Sequence, residues 1–126
     1  MNEIVLDTSF LMILAEKSSR IVDDMEELLA PVVFVVPSSV VEELNRLSRS
    51  KFVKRSKLAS LALRIVRDHM QVRQMPSSGS ADDQIISYAR SRPGVFVATM
   101  DSELRRRLTK ENLKCITLST DKVVLC

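Results

Sequence analysis

The chain is poor in the residues that most often build metal and nucleophile sites. Its single histidine, His69, excludes a histidine-rich metal site and argues against a Ser-His-Asp triad. Its two cysteines, Cys115 and Cys126, are too few and too poorly patterned for a disulfide framework or a zinc site. Cys115 begins an apolar stretch, so we expect it to be a small buried strand residue.

Long apolar runs are also missing. None approaches the roughly 20 residues that span a bilayer. Asn2-Glu3-Ile4 follows the first methionine without the basic and apolar regions of a secretory signal. We therefore expect a cytoplasmic protein with no membrane partner. The length of 126 residues predicts one domain, residues 1–126, whose core needs neither disulfide nor metal.

Aromatic residues are scarce, with one Tyr, four Phe and no Trp. Stacking on exposed bases is therefore expected to be minor, and any nucleic-acid recognition should depend on backbone and shape. The net charge of +3 and the pI of about 9.1 are too mild to indicate a nucleic-acid partner by themselves.

Short apolar strands alternate with helical patterns, which is typical of βαβ units and a parallel sheet. Strands are predicted at 4–6, 32–36, 95–98 and 115–118, with a weaker edge strand at 71–73. A last apolar run, 123–125, has no predicted position. Helices are predicted at 10–16, 20–29, 39–48, 52–69, 81–91 and 102–110, and the main loop at 76–79. Right-handed crossovers then give an α/β fold, a three-layer α/β/α domain around a mostly parallel sheet of about five strands.

Four carboxylates stand where such a sheet presents its ligand-binding edge: Asp7, Glu43, Asp82 and Asp101. Asp7 and Asp101 immediately follow two predicted strands, and they face each other if those strands are neighbours. The structural alternative for each is a helix N-cap, which stabilises a helix by about 1 kcal/mol.

Capping boxes separate the paired acids. Ser39 with Glu42 and Ser80 with Asp83 both fit the capping-box spacing. This assigns Glu42 and Asp83 to the helix ends and leaves the neighbouring Glu43 and Asp82 as site candidates. Asp83 is kept as an additional candidate ligand.

Several carboxylates in one cleft cannot all stay ionised without a cation or a shared proton. Two unit charges about 4 Å apart repel by roughly 4 kcal/mol at an effective dielectric constant of 20. Oxygen ligands without histidine or cysteine select hard ions, Mg²⁺ or Mn²⁺. Such a site suits hydrolysis of a phosphodiester, because the ion activates and orients water and shields charge on the phosphate.

Four segments in order resemble the motifs of PIN-domain ribonucleases. They are Ile4-Val5-Leu6-Asp7-Thr8-Ser9-Phe10-Leu11, Val40-Val41-Glu42-Glu43-Leu44, Gly79-Ser80-Ala81-Asp82-Asp83-Gln84-Ile85 and Val97-Ala98-Thr99-Met100-Asp101-Ser102-Glu103-Leu104. The resemblance spans residues 4–118 and is strongest to the compact branch containing ribosomal-RNA-processing endonucleases and their archaeal relatives. VapC-type toxins share this fold and these acids.

The resemblance implies a role for each matching residue. Asp7, Glu43, Asp82 and Asp101 fall on the catalytic acids, and Asp7, Asp82, Asp101 and Asp83 on metal ligands. Thr99 matches a hydroxyl that supports the last Asp, and Ser9 a small polar residue beside the first. Met100 departs from the processing branch, where Asn is common. The implied products carry a 5′-phosphate and a 3′-hydroxyl.

Basic residues crowd positions 46–57 and follow Asp101 directly. A charge run is usually a solvated face, but both clusters flank acidic motifs, and phosphates need cations beside a metal site. The RNA-binding candidates are Arg46, Arg49, Lys54, Lys57, Arg105 and Arg106.

The expected function is therefore a metal-dependent endoribonuclease. The main alternative is a PIN-fold module that binds RNA in ribosome maturation with an idle site. A receiver or a haloacid-dehalogenase-like phosphatase fits less well, because Lys122 is poorly placed and Asp7-Thr8-Ser9 is not Asp-x-Asp. The resemblance leaves open ribosomal RNA processing or a toxin role, a homodimer, and an antitoxin or ribosome-assembly partner.

Overall fold

A mixed sheet with helices on both faces organises the chain. The computed structural model describes residues 1–17, 20–76 and 78–126, so Ser77 of the predicted main loop lies outside the described residues. The elements are β1 (Asn2–Leu6), α1 (Thr8–Lys17), α2 (Arg20–Leu29), β2 (Val32–Pro37), α3 (Ser38–Ser48), α4 (Val53–His69), β3 (Gln71–Arg73), α5 (Ala81–Ser91), β4 (Val95–Ala98), α6 (Ser102–Lys110), β5 (Lys114–Ser119) and β6 (Lys122–Leu125).

The sheet order is β3-β2-β1-β4-β5-β6. Strands β1 to β5 pair in parallel, and β6 pairs antiparallel with β5. The three-layer α/β/α prediction is confirmed, with six strands in the described part of the chain instead of about five. The added strand is the terminal run that had no predicted position. Strand β1 lies between β2 and β4, so the chain reverses its direction of travel across the sheet at β1 and β4.

The central strands β1, β2 and β4 are buried on both faces of the sheet, as expected for parallel strands covered by helices. Ile4 and Leu6 point toward the cluster packed with α1 to α4, whereas Val5 points toward the cluster packed with α5 and α6. All three are 0 % exposed. Among the helices of the described residues, none combines the length and apolar character needed to cross a bilayer.

The two cysteines, which are too few for a disulfide framework, form one disulfide that the sequence did not predict. Cys115 is buried in β5 as predicted, but it is bonded to Cys126. The antiparallel register pairs Ile116 with Leu125, so the two cysteines are the next pair along the ladder. The Cys126 N–H donates to the Cys115 carbonyl at 2.9 Å. A hairpin return therefore brings together two cysteines whose spacing alone indicates nothing.

One predicted capping box is confirmed and the other is wrong. Ser80 and Asp83 form a reciprocal box at the start of α5. The Ser39 box is absent because β2 runs to Pro37 and α3 begins at once at Ser38, which leaves Ser39 inside the first turn. The Ser39 hydroxyl instead donates to the Gln84 side chain at 3.0 Å and joins α3 to α5.

Candidate active site

A cleft of about 420 Å³ opens at the carboxyl edge of the sheet, beside the β1/β4 pair. Register pairs Leu6 with Ala98, so Asp7 and Thr99 lie side by side just beyond the strands. Helices α3 and α5 supply the remaining walls. The lining residues are Asp7, Thr8, Ser9, Val40, Glu43, Ser80, Ala81, Asp82 and Asp101. The four carboxylates predicted as catalytic therefore lie around one cleft.

Asp7 is buried, with 6 % of its surface exposed. Its Oδ1 accepts hydrogen bonds from the Ser9 hydroxyl at 2.8 Å and the Phe10 N–H at 2.9 Å. Its Oδ2 accepts one from the Thr99 hydroxyl. Burial raises the pKa of Asp7 and the Asp82 charge adds to this, while the three hydrogen bonds lower it. The fold thus holds a carboxylate in one orientation although the site disfavours its charge.

Two hydroxyls connect Asp7 to the loop after β4. Thr99, fully buried, accepts the Asp101 N–H at 3.0 Å while it donates to Asp7. Ser9 accepts the Met100 N–H at 3.0 Å while it donates to Asp7. These bonds give both hydroxyls a defined supporting geometry beside Asp7 and Asp101.

Met100 takes part through its backbone. Its side chain packs against the core, and its sulfur accepts the Thr117 hydroxyl at 3.7 Å. Because the N–H bonded to Ser9 belongs to the main chain, that bond does not depend on the side chain at position 100.

Asp82 lies in the first turn of α5 and is partly buried. Burial raises the pKa of Asp82, and the charges of Asp101, Asp83 and Glu43 raise it further against the opposing effect of Arg107. Each of these carboxylates therefore makes the ionised form of Asp82 less favourable. A cation in the cleft would relieve that repulsion.

Glu43 and Asp101 are held differently. The Glu43 carboxylate accepts a hydrogen bond from the hydroxyl of Thr8, the first residue of α1. Asp101 is the N-cap of α6, and its Oδ1 accepts the N–H groups of Glu103 at 2.8 Å and Leu104 at 3.1 Å. The capping alternative is therefore true of Asp101, yet its Oδ2 has no hydrogen-bond partner within the described chain. Capping and cleft lining are compatible in this residue.

Asp83 does not line the cleft. One oxygen faces the Ser80 N–H in the capping box, and the other accepts Arg107 at 2.9 Å. The Arg107 hydrogen bond, followed by those of Ser80, lowers the pKa of Asp83. The ligand role of Asp83 stays a prediction, and in this structure its carboxylate is held by Ser80 and Arg107.

The donor set fits a hard divalent ion by its chemistry. It contains only oxygen ligands, and mutual repulsion among the acids favours bound positive charge. Within the described ranges, no three acidic, histidine or cysteine side chains lie close enough together to hold an ion between them. Mg²⁺ usually takes one or two carboxylates and keeps several of its waters, so its binding does not require such a closed cage.

The cations predicted to bind RNA fall into two groups. Arg46, Arg49 and Lys57 are exposed, with neither an ion pair nor a hydrogen-bond partner among the described side chains. Lys54 lies 3.7 Å from Glu16, and Arg106 is bonded to Glu103 at 2.6 Å. The last candidate, Arg105, is half-buried, and its Nε has no partner among the described residues.

Two residues that the sequence pattern did not indicate also belong to the site. Thr8 orients Glu43, and Arg107 holds Asp83 and lowers the pKa of Asp82. The signal for Thr8 was its place beside Asp7 at a helix start. The signal for Arg107 was its helical phase, three residues after the buried Leu104.

The fold and the cleft define a class, an α/β/α domain whose carboxylates gather where the sheet changes direction. A family model described as a PIN like domain matches residues 4–121. The chain belongs to this family, as the resemblance to PIN-domain ribonucleases indicated.

Similar proteins agree with that assignment. Ribonuclease VapC4 of Methanocaldococcus jannaschii is 32 % identical over 125 residues, covering 97 % of this chain and 94 % of that protein. The structure of the PIN domain endonuclease Utp24 aligns with a TM-score of 0.79 at 22 % identity, covering 98 % of this chain and 90 % of that one. A domain of a functionally unknown protein from M. jannaschii DSM 2661 aligns with a TM-score of 0.65 at 16 % identity, covering 95 % and 93 %. At these identities the two structures show the fold.

Proposed function

We propose that the protein is a metal-dependent endoribonuclease that uses Mg²⁺ or Mn²⁺. The observation that carries this proposal is the cleft: four separate chain segments bring Asp7, Glu43, Asp82 and Asp101 to one edge of the sheet. The similarity to proteins named as a ribonuclease and an endonuclease supports a nuclease activity.

The residues divide the work according to their surroundings. Asp7 and Asp101 would hold a divalent ion, and Asp82 would complete the negative site that they line. Glu43, fixed by Thr8, positions water for attack on the phosphorus and accepts its proton. A divalent ion bound there would lower the pKa of water and shield charge on the non-bridging oxygens. In-line attack breaks the bond from phosphorus to the 3′-oxygen, which takes up a proton from solvent, and so leaves a 5′-phosphate and a 3′-hydroxyl.

Cations beside the cleft would hold the RNA backbone. Arg46 lies one helical turn beyond Glu43 on α3, and Arg49 one turn further. A VapC-like toxin and a ribosomal-RNA-processing enzyme both need this chemistry. The toxin role predicts an antitoxin partner and a homodimer, whereas the processing role predicts a ribosome-assembly partner.

The test is RNA cleavage with Mn²⁺ by wild type, Asp7→Asn and Asp101→Asn. We expect each variant to lose at least about 100-fold in rate, because each removes negative charge from the ion site. Asp68→Asn is the matched control, because it makes the same change at an exposed acid of α4 outside the cleft. Both cleft variants cleaving like wild type would refute the assignment. Wild type that binds structured RNA without cutting it would favour the RNA-binding module.

A further inference from the structure

The stretch between Glu43 and Asp68 has an extreme charge. It contains eight basic residues and no acidic one, which leaves 11 basic and 16 acidic residues, a net charge of −5, in the rest of the chain. The eight are Arg46, Arg49, Lys51, Lys54, Arg55, Lys57, Arg64 and Arg67. The mild net charge of +3 therefore conceals one strongly cationic segment at the end of α3, in the following turn and along α4, in which Lys54 is ion-paired with Glu16 and Arg67 with Asp68.

Local helix stability does not explain this charge. Lys54 and Arg55 lie in the first turn of α4, at the positive end of the helix dipole, where cations are unfavourable. The N-cap residue, Phe52, makes no side-chain hydrogen bond to the helix. A polyanion bound nearby would offset both features.

Phe52 stands out among the aromatic side chains. Phe10, Phe34, Phe96 and Tyr88 are at most 8 % exposed, whereas Phe52 is 64 % exposed in the middle of the cationic stretch. The Arg55 guanidinium lies 5.6 Å from the centre of its ring. A ring with an adjacent cation is the combination that single-stranded nucleic-acid sites use to stack bases and hold phosphates.

The turn that presents Phe52 is held in place. The Phe52 N–H donates to the Ser50 hydroxyl at 3.1 Å, and its carbonyl accepts the Ser56 N–H at 3.0 Å. The Ser56 hydroxyl donates to the Ser48 carbonyl and joins α4 to the end of α3. The ring is therefore displayed from an ordered backbone, which lowers the entropic cost of binding to it.

A shelf beside the ring has room for a base. It is a cavity of about 340 Å³ lined by Met12, Phe52, Lys54, Arg55 and Leu58. Met12 and Leu58 make part of its lining apolar, and its two cations are Arg55 and Lys54, the latter 3.7 Å from Glu16.

The shelf is within reach of the acidic cleft. Glu43 lies five residues before the end of α3, about 7.5 Å at 1.5 Å per residue. Four more residues lead to Phe52, at most about 14 Å of extended chain. Their Cα atoms are thus no more than about 22 Å apart, which some six stacked nucleotides would span.

We propose that Phe52 and Arg55 form a base-stacking site for an unpaired RNA strand whose backbone follows Arg49 and Arg46 to the cleft. This deepens the proposed function and rests on it, since it names a single-stranded substrate segment for the same site. It also revises the expectation that stacking is minor, because one exposed ring among cations suffices for one base.

Binding is measured in EDTA, so that no strand is cut, by the anisotropy of a labelled, unstructured 12-nucleotide RNA. Phe52→Ala should weaken its binding about 5- to 100-fold. The same substitution should not change binding to an abasic strand of equal charge or to a blunt duplex. Phe52→Tyr should retain most of the affinity, and Phe52→Leu should not. Val53→Ala is the matched control, because Val53 is 65 % exposed in the same turn but has no ring.

Phe52→Trp adds a direct signature, since the chain has no other tryptophan. Its emission should be quenched by the normal strand and unaffected by the abasic one. Arg49→Gln should instead weaken binding to both strands and lower the salt slope by about 1.

Three results would overturn the stacking site: unchanged binding by Phe52→Ala, an equal loss on the abasic strand, or full binding by Phe52→Leu. The last would show that an apolar contact at position 52, and not ring stacking, supports the binding. If only the nuclease function fails, RNA binding will still depend on Phe52, but the wild-type protein will cut no RNA with Mn²⁺. If instead wild type cuts RNA and Phe52→Ala leaves KM unchanged, the stacking site alone fails.

Discussion

Replacing Asp82 with Asn should stabilise the metal-free protein. Burial and the charges of three neighbouring carboxylates raise the pKa of Asp82, so its ionised form is less favourable in the folded chain than in the unfolded one. Asn has nearly the same shape and no charge. In EDTA at pH 7, we expect Asp82→Asn to melt at a higher temperature than wild type.

The magnitude follows from the position of Asp82. A carboxylate pair about 5 to 8 Å apart would repel by roughly 2 to 3 kcal/mol at an effective dielectric constant of 20. Asp82 is only partly buried and Arg107 opposes the repulsion, so solvent screening reduces the gain to about 1 kcal/mol. For a domain of this size that is about 3 to 6 °C in Tm.

The pH dependence has a definite sign. A raised folded-state pKa means that the folded protein binds the Asp82 proton more tightly than the unfolded chain does. The destabilisation is therefore complete above the folded-state pKa and disappears below the unfolded-state value. The gap in Tm between Asp82→Asn and wild type should close as the pH is lowered from 7 into the acidic range.

Metal should reverse the order of stability. An ion at ten times its Kd stabilises the folded state by about 1.4 kcal/mol, roughly 4 to 8 °C in Tm. Thermal melts with increasing Mn²⁺ should raise the Tm of wild type by this amount and that of Asp82→Asn by much less. Asp68→Asn, an exposed acid on α4, provides the control. The electrostatic account of the cleft would be refuted if Asp82→Asn melted below wild type in EDTA, or if Mn²⁺ raised its Tm as much as that of wild type.

Two further changes test the supports of the site. Thr99→Val removes a buried hydroxyl between Asp7 and Asp101, and should cost about 1 to 3 kcal/mol in unfolding free energy and at least tenfold in cleavage rate. Denaturant titration and a rate assay measure these losses, with Thr99→Ser, which keeps the hydroxyl, as the control. Equal behaviour of the two variants would contradict the prediction. Cys126→Ser removes a cross-link between residues 11 apart in sequence and should lower the unfolding free energy by up to about 3 kcal/mol. Wild type treated with dithiothreitol should have the same Tm as this variant. An unchanged Tm would show that the hairpin is stable without the disulfide.

Local pattern was enough to predict most of the fold. Strands β1, β2 and β4 each contain a continuous apolar run, and each of the six predicted helices lies within two residues of its predicted ends. Strand β6 and its disulfide could not be placed, because both depend on an antiparallel return to β5 that no short motif encodes. The compartment stays a prediction, and disulfides are more common in oxidising compartments than in the cytosol.

The site was partly predictable for the same reason. Asp7 and Asp101 follow strands that lie side by side, so their proximity comes from sheet order. Glu43 lines the cleft as predicted, but the Ser39 cap that singled it out does not exist. Contacts between distant segments were missed, such as the one from Thr8 to Glu43, 35 residues away.

Locally unfavourable features of this molecule lie in two places, and the proposed function would account for both. The cleft brings carboxylates together although burial and repulsion raise the pKa values of Asp7 and Asp82. The start of α4 places cations at the wrong end of a helix dipole and leaves Phe52 in water. A chain selected for stability alone would remove these features, and stabilising substitutions at such positions commonly reduce activity. A metal ion would relieve the first and a single RNA strand the second, which is why we propose that both serve the same reaction.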